Sequence, residues 1–141
     1  LAANGDNQTE DAITLAGATA TVLYSSVAGL TVDPSAAINC SSSYNLTVRN
    51  SILLKRWGSG EALAGCGSAP VAGSYNDSID NATGLSWFDG WASDLHLLAA
   101  GVTTFTDVAV WQSGDPPTDI DGNPRPTTDG APDVCGADEG P

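Results

Sequence analysis

The sequence predicts an all-β chain, a short parallel β-solenoid of about 25 residues per coil with a C-terminal cap and an ordered Pro/Gly-rich tail. Three observations point there. Residues 22–27, 47–52 and 74–79 align without gaps, which sets Ser26, Ser51 and Ser78 in one column. That period is too short for most helical repeats and suits three short strands with three turns. The repeated segments are rich in β-branched and aromatic residues. Sixteen Gly and eight Pro supply the many turns such a chain needs.

Taken in order, residues 1–11 form a polar lead-in, and 13–15 and 19–27 are strands of a first coil. Residues 30–32 and 36–38 follow across an Asp33-Pro34 turn. Residues 46–54 make the strongest strand, 55–67 a Gly-broken excursion, and 71–79 the opening of a third coil. Stacked coils bring equivalent positions about 4.8 Å apart. The alignment then predicts one inward ladder of Leu23, Val48 and Tyr75 and another of Val27, Ile52 and Ile79. Ser25, Asn50 and Asp77 would stack at a bend, where their side chains satisfy turn backbone. Cys40 and Cys66 are spaced by one such period, which places them for a disulfide, with Cys135 the alternative partner for either.

From Asn81 the period fades. Trp87, Phe88 and Trp91 arrive together and are expected to cover the open end of the solenoid core. Residues 103–111 read as a last strand or two, and the tail from Gly114 as loop packed on the side. The chain thus divides into β-helix coils over 1–86 and a capping region of the same domain over 87–141. No capping segment precedes the first coil, so this end is expected to stack head to tail on another copy or on upstream coils of a parent chain. The absence of Met reads as a mature or excised product.

Seventeen acidic residues against four basic ones give a net charge of -13. Such a surface excludes nucleic acid, whose binding needs Lys and Arg, and disfavours anionic membranes and acidic polysaccharides. No apolar run approaches the length of a membrane span. The three cysteines form no Cys-x-x-Cys pair, which argues against zinc. Sequons at Asn7, Asn39, Asn45, Asn76 and Asn81 read as chance matches in a chain rich in Asn, Ser and Thr.

Three segments carry a motif: Asp94-Leu95-His96-Leu97-Leu98, then Thr118-Asp119-Ile120-Asp121-Gly122-Asn123-Pro124-Arg125, then Pro132-Asp133-Val134-Cys135-Gly136-Ala137-Asp138-Glu139. Over residues 87–139 the chain resembles the closing sequence of secreted bacterial right-handed parallel β-helix proteins of the pectate-lyase-like, choice-of-anchor type. The resemblance implies a right-handed parallel β-helix and a secreted or cell-surface location. It implies no reaction.

Few residues are placed for chemistry. Asp119, Asp121 and Asn123 alternate as calcium loops do, although a closing turn with Asx hydrogen bonds explains them without metal. Calcium is the one cofactor this spacing raises. Arg125 is expected to pair with Asp138 or Glu139 and pin the tail. His96, the only histidine, reads as structural. A lyase would need a base, for which the coils offer Arg49, Lys55 and Arg56, and a hydrolase would need clustered carboxylates, which no strand face supplies. Trp87 and Trp91, with Trp57 and Trp111, are candidates for a sugar-stacking platform. The expected function is a non-catalytic extracellular structural or adhesive solenoid, self-associating or docked on its parent. The alternative is a carbohydrate-binding or polysaccharide-degrading module, with glycans as partners.

Overall fold

The computed structural model describes residues 11–29, 36–42, 44–56, 62–67, 69, 71–91 and 94–140. The first half is built from short strands: β1 (Ile13–Ala16), β2 (Thr19–Leu23), β3 (Ser26–Gly29), β4 (Ile38–Ser41), β5 (Asn45–Arg49), β6 (Ile52–Arg56), β7 (Leu63–Ala64), β8 (Val71–Ala72) and β9 (Tyr75–Ile79). They pair in parallel as three sheets, ordered β1-β4-β7, β2-β5-β8 and β3-β6-β9. Each strand therefore neighbours the one three elements further along. Between the first and second turns Ile13 faces Ile38, Thr19 faces Asn45 and Ser26 faces Ile52. Between the second and third, Ile38 faces Leu63, Val48 faces Val71 and Ile52 faces Tyr75.

Left-handed residues turn the corners. Gly17, Ser42 and Gly67 (φ 64°, 59° and 56°) mark one corner in successive turns, and Tyr24, Asn50 and Gly73 (φ 42°, 54° and 58°) another. At the second corner a serine follows each time. The Ser25 N–H donates to Ser51 Oγ at 3.2 Å and the Ser51 N–H to Ser74 Oγ at 2.9 Å. Each hydroxyl in turn donates to the carbonyl two positions earlier, Leu23, Arg49 or Ala72. A polar stack at a bend thus satisfies backbone that would otherwise be stranded.

The register corrects the alignment drawn from sequence. The stacked serines are Ser25, Ser51 and Ser74, not Ser26, Ser51 and Ser78. Val22, Val48 and Val71 form one ladder, and Val27, Leu53 and Asn76 another. Tyr75 partners Ile52, and Ile79 partners Arg56. The third turn is shorter than the alignment assumed, and Ser78-Ile79 mimicked Ser51-Ile52. Expected strands 19–27 and 46–54 are each broken, because Tyr24 and Asn50 adopt the left-handed conformation. Expected strand 30–32 lies outside the described residues.

All three sheets feed one core of Val27, Ile38, Cys40, Leu46, Val48, Leu53, Leu63 and Cys66. A second core lies on the other face of β3-β6-β9. Because strand side chains alternate, Leu53 enters the first core while Ile52 and Leu54 enter the second, with Ala28, Phe88, Trp91, Leu97, Phe105 and Trp111. A parallel sheet buried on both faces reads as a continuous apolar run, which accounts for Ile52-Leu53-Leu54. Trp87, Phe88 and Trp91 therefore cover the side of the coils and not their end, a second correction.

That side layer contains α1 (Asn81–Trp87), β10 (Phe88–Gly90), β11 (Asp94–Leu97), α2 (Ala99–Phe105), β12 (Ala109–Val110) and β13 (Pro132–Asp133). β10 pairs antiparallel with β11, and β12 with β13. The Asp80 carboxylate caps α1 by accepting the Thr83 N–H at 2.7 Å. Of the strand expected over 103–111, residues 109–110 are strand and 103–105 end a helix, where Thr103, Thr104 and the capping Thr106 donate their hydroxyls to carbonyls one helical turn back. Gly84 lies against the Trp91 ring and Gly101 against the Trp87 carbonyl, too close for a Cβ at either position. Among the described residues no helix is long and apolar enough to cross a membrane.

Candidate functional site

The tail beyond β12 folds back across the corners of the coils, and buried polar side chains hold it there. Asn50, 1% exposed, donates Nδ2 to the Val110 carbonyl at 2.9 Å and accepts the Val110 N–H at 3.3 Å. Its own carbonyl accepts the Gly136 N–H at 2.9 Å. Beside it, Arg49 makes a two-pronged pair with Asp115, one arm at 2.8 Å from Nη1 and the other from Nη2. Asp115 also accepts the Gln112 N–H at 2.8 Å. Burial pulls the Asp115 carboxyl upward, but the Arg49 hydrogen bond and charge outweigh it and leave the group below its ordinary 3.8. Arg49 is correspondingly raised, above all by its hydrogen bond to Asp115, so it stays charged.

The most distinctive cluster lies where the tail meets Tyr24. An open cleft of about 550 Å³ is lined by Thr106, Asp107, Pro124, Arg125, Asp133 and Glu139, among others. Arg125 is buried at its inner wall. Its Nη1 lies 3.2 Å from Asp133 Oδ2, 3.4 Å from Glu139 Oε1 and 3.2 Å from the Val134 carbonyl, and its Nη2 donates to the Gly136 carbonyl at 2.9 Å. The guanidinium sits 4.1 Å from the centroid of the Tyr24 ring, a cation–π contact between tail and coil. Burial first, then hydrogen bonding to and repulsion from Asp133, push Glu139 up to about 7, while Arg125 pulls it back only in part. Burial, followed by Asp133, also raises the Tyr24 hydroxyl above its ordinary 10.0. Two carboxyls thus face a single guanidinium.

His96 forms a second bridge. Its Nδ1 contacts Asp94 Oδ1 and its Nε2 lies 3.3 Å from Asp121 Oδ1. The Asp94 hydrogen bond raises the imidazole above its ordinary 6.5. Asp121 belongs to the turn that sequence had offered to calcium. There Asp119 Oδ1 accepts the N–H groups of Asp121 and Asn123 at 2.9 and 2.8 Å, and Oδ2 accepts Asn123 Nδ2 and the Glu139 N–H at 3.0 and 3.3 Å. Burial would raise Asp119, but these donors hold it below 3.8. An Asx turn accounts for the Asp119, Asp121 and Asn123 spacing, and among the described residues no group of His, Cys, Asp and Glu is arranged to hold a metal ion.

The remaining predicted residues are dispersed. Cys40 and Cys66 are joined, their Cα atoms 4.9 Å apart, linking the second turn to the third inside the first core. Cys135 is free and buried, its thiol pushed up to about 12, chiefly by burial. Trp91 is 1% exposed and stacks on Phe88 at 5.5 Å, and Trp87 meets Tyr75 and Phe105 edge to face. Of the expected sugar platform, Trp91 is buried in the second core, Trp87 is partly buried against it, and Trp57 lies outside the described residues. Sequence reasoning offered Asp138 or Glu139 as the partner of Arg125; Glu139 is beside it, and Asp138 instead accepts the Leu97 N–H. It missed Asp133 and Tyr24, because nothing local marks a tyrosine far upstream in the chain as the floor of a tail cluster. Compared with known proteins, the chain matches no family model, no curated protein and no solved structure.

Proposed function

We propose that this chain folds as a short right-handed parallel β-helix and serves as a non-catalytic structural or adhesive module outside a bacterial cell, docking through its first coil. One observation carries the reading: strands recur in parallel register at every turn of the chain and feed one shared core. The resemblance of residues 87–139 to secreted β-helix proteins supports the location.

The two ends of the coils differ. β1, β2 and β3 are the outer strands of their sheets among the described residues, and their sequences ITLA, TATVL and SVAG carry no charge and no proline. Ile13, Leu15, Ala20 and Val22 stand only half-buried beside the first core. At the opposite end β7 and β8 are two-residue strands, which resist pairing, and the five-residue β9 carries the charge of Asp77. Head-to-tail stacking needs both edges. The asymmetry favours a different parallel coil seated on the first one over a second copy of this chain. Mass determination with electron microscopy tests this. The chain purified alone should stay monomeric, and material isolated from its source should carry it within a larger particle. Filaments of the chain alone, or a free monomer at source, would overturn the reading.

A further inference from the structure

We propose that the C-terminal tail is a pH-operated clasp: the buried cluster in which Arg125 faces both Asp133 and Glu139 holds residues 133–139 against the corners of the first two turns in mildly acidic solution and loosens in alkaline solution. The clasp is independent of docking and rests on the tail's own contacts. Cys135 anchors the middle of this segment in the second core and Asp138 accepts the Leu97 N–H, while three contacts tie its flanks to the first two turns. The Ala137 N–H donates to Ser26 Oγ at 3.1 Å, the Gly136 N–H to the Asn50 carbonyl at 2.9 Å, and Arg125 lies on Tyr24. Arg125 donates to the Gly136 carbonyl at 2.9 Å, which places its cluster beside the first two of these bonds.

Glu139 is faced by charged groups from the surrounding segments, Arg125, Asp133 on β13 and Asp119 in the turn, and shares the cleft lining with Asp107. One of these is cationic. With a proton shared, Arg125 offsets a single carboxylate. Without it, a second carboxylate is held at 19% exposure against Asp133, with the Asp119 carboxylate at its back. The cleft opens on this side, so the strain is relieved by letting water in and the tail out. His96 adds to the effect. It ties Asp94 on β11 to Asp121 in the turn, with Asp138 nearby, and that tie weakens when the imidazole is neutral.

The two effects have the same sign. Glu139 is raised from 4.5 to about 7, so the folded state is increasingly disfavoured as pH climbs through that interval. His96 is raised above 6.5, so its contribution is whole below 6.5 and lost as pH rises through its folded value. On the acid side Asp94, Asp115 and Asp119 are depressed below 3.8, so their contributions survive until the pH falls beneath that. The clasp is tightest in mildly acidic solution.

Amide exchange at Gly136 and Ala137 tests the clasp, as protection factors at about pH 5 and about pH 8.5 in the wild type and in Glu139→Gln. The wild type should lose about tenfold or more of its protection at the higher pH, and the variant, which cannot ionise there, should keep it. Unchanged wild-type protection, or an equal loss in Glu139→Gln, would overturn the clasp. Should the variant fail to fold, the wild type still decides: the loss must follow the NMR titration of the Glu139 carboxyl, and a loss along any other curve counts against it.

Discussion

Asn50 answers three needs in one position. Its left-handed φ of 54° turns a corner, its amide pairs with both backbone groups of Val110, and its carbonyl takes the Gly136 N–H. Asparagine tolerates that conformation better than other non-glycine residues. A comparison separates the roles. Asn50→Gly keeps the corner and loses the amide, while Asn50→Ala loses both. Denaturant unfolding should show about 1–3 kcal/mol lost in the glycine variant, for a buried pair left unmatched, and about 1–2 kcal/mol more in the alanine variant. Equal losses would mean that the corner conformation contributes nothing. The left-handed residues were partly legible in the sequence, since Gly17, Gly67, Gly73 and Asn50 are residue types that turn corners. Tyr24 and Ser42 were not, because local preference disfavours them there and only the stack imposes it.

At the scale of elements, the periodicity was readable and its register was not. A regular spacing and apolar strands announced sheets of parallel strands, but Ser26, Ser51 and Ser78 aligned as well by eye as the serines that stack. Register depends on which residue turns each corner, and the third turn drops residues that no local pattern marks. The helices α1 and α2 were hidden for another reason: short, rich in Thr and Gly, they are held by Trp91 and Phe105 packing on Ile52 and Leu54 more than by intrinsic preference. The Cys40–Cys66 bond ties the second turn to the third at a sequence separation of 26. Cross-linking a loop of that length stabilises by about 3–4 kcal/mol in the chain-entropy model. Cys40→Ser with Cys66→Ser should lower the thermal midpoint accordingly while leaving the far-ultraviolet circular dichroism of the folded state unchanged. A midpoint equal to that of the wild type would show that strand pairing alone fixes these turns.

For the whole molecule, the arrangement is two cores separated by one sheet, with the tail drawn across the corners. Composition indicated many turns, a buried core and a surface of net charge -13, but not which side of the coils the aromatic residues would cover. That choice was present in the alternation of Ile52, Leu53 and Leu54, an apolar run with no polar face, which demands burial on both sides. The candidate site was half legible: Arg125 with Glu139 could be expected from the motif, whereas Asp133, Tyr24 and Asn50 come together only through the fold.

Everything above the coils depends on the C-terminal layer covering the flank of the β3-β6-β9 sheet. Thiol labelling of the native protein tests that placement most directly, comparing Ala28→Cys, on the covered face, with Thr47→Cys, on the exposed face of β2-β5-β8. The thiol at position 47 should react as freely as one in an unfolded chain, while the one at position 28 should be slower by orders of magnitude and react only through unfolding. Comparable rates at the two positions would place the aromatic layer elsewhere and contradict this arrangement.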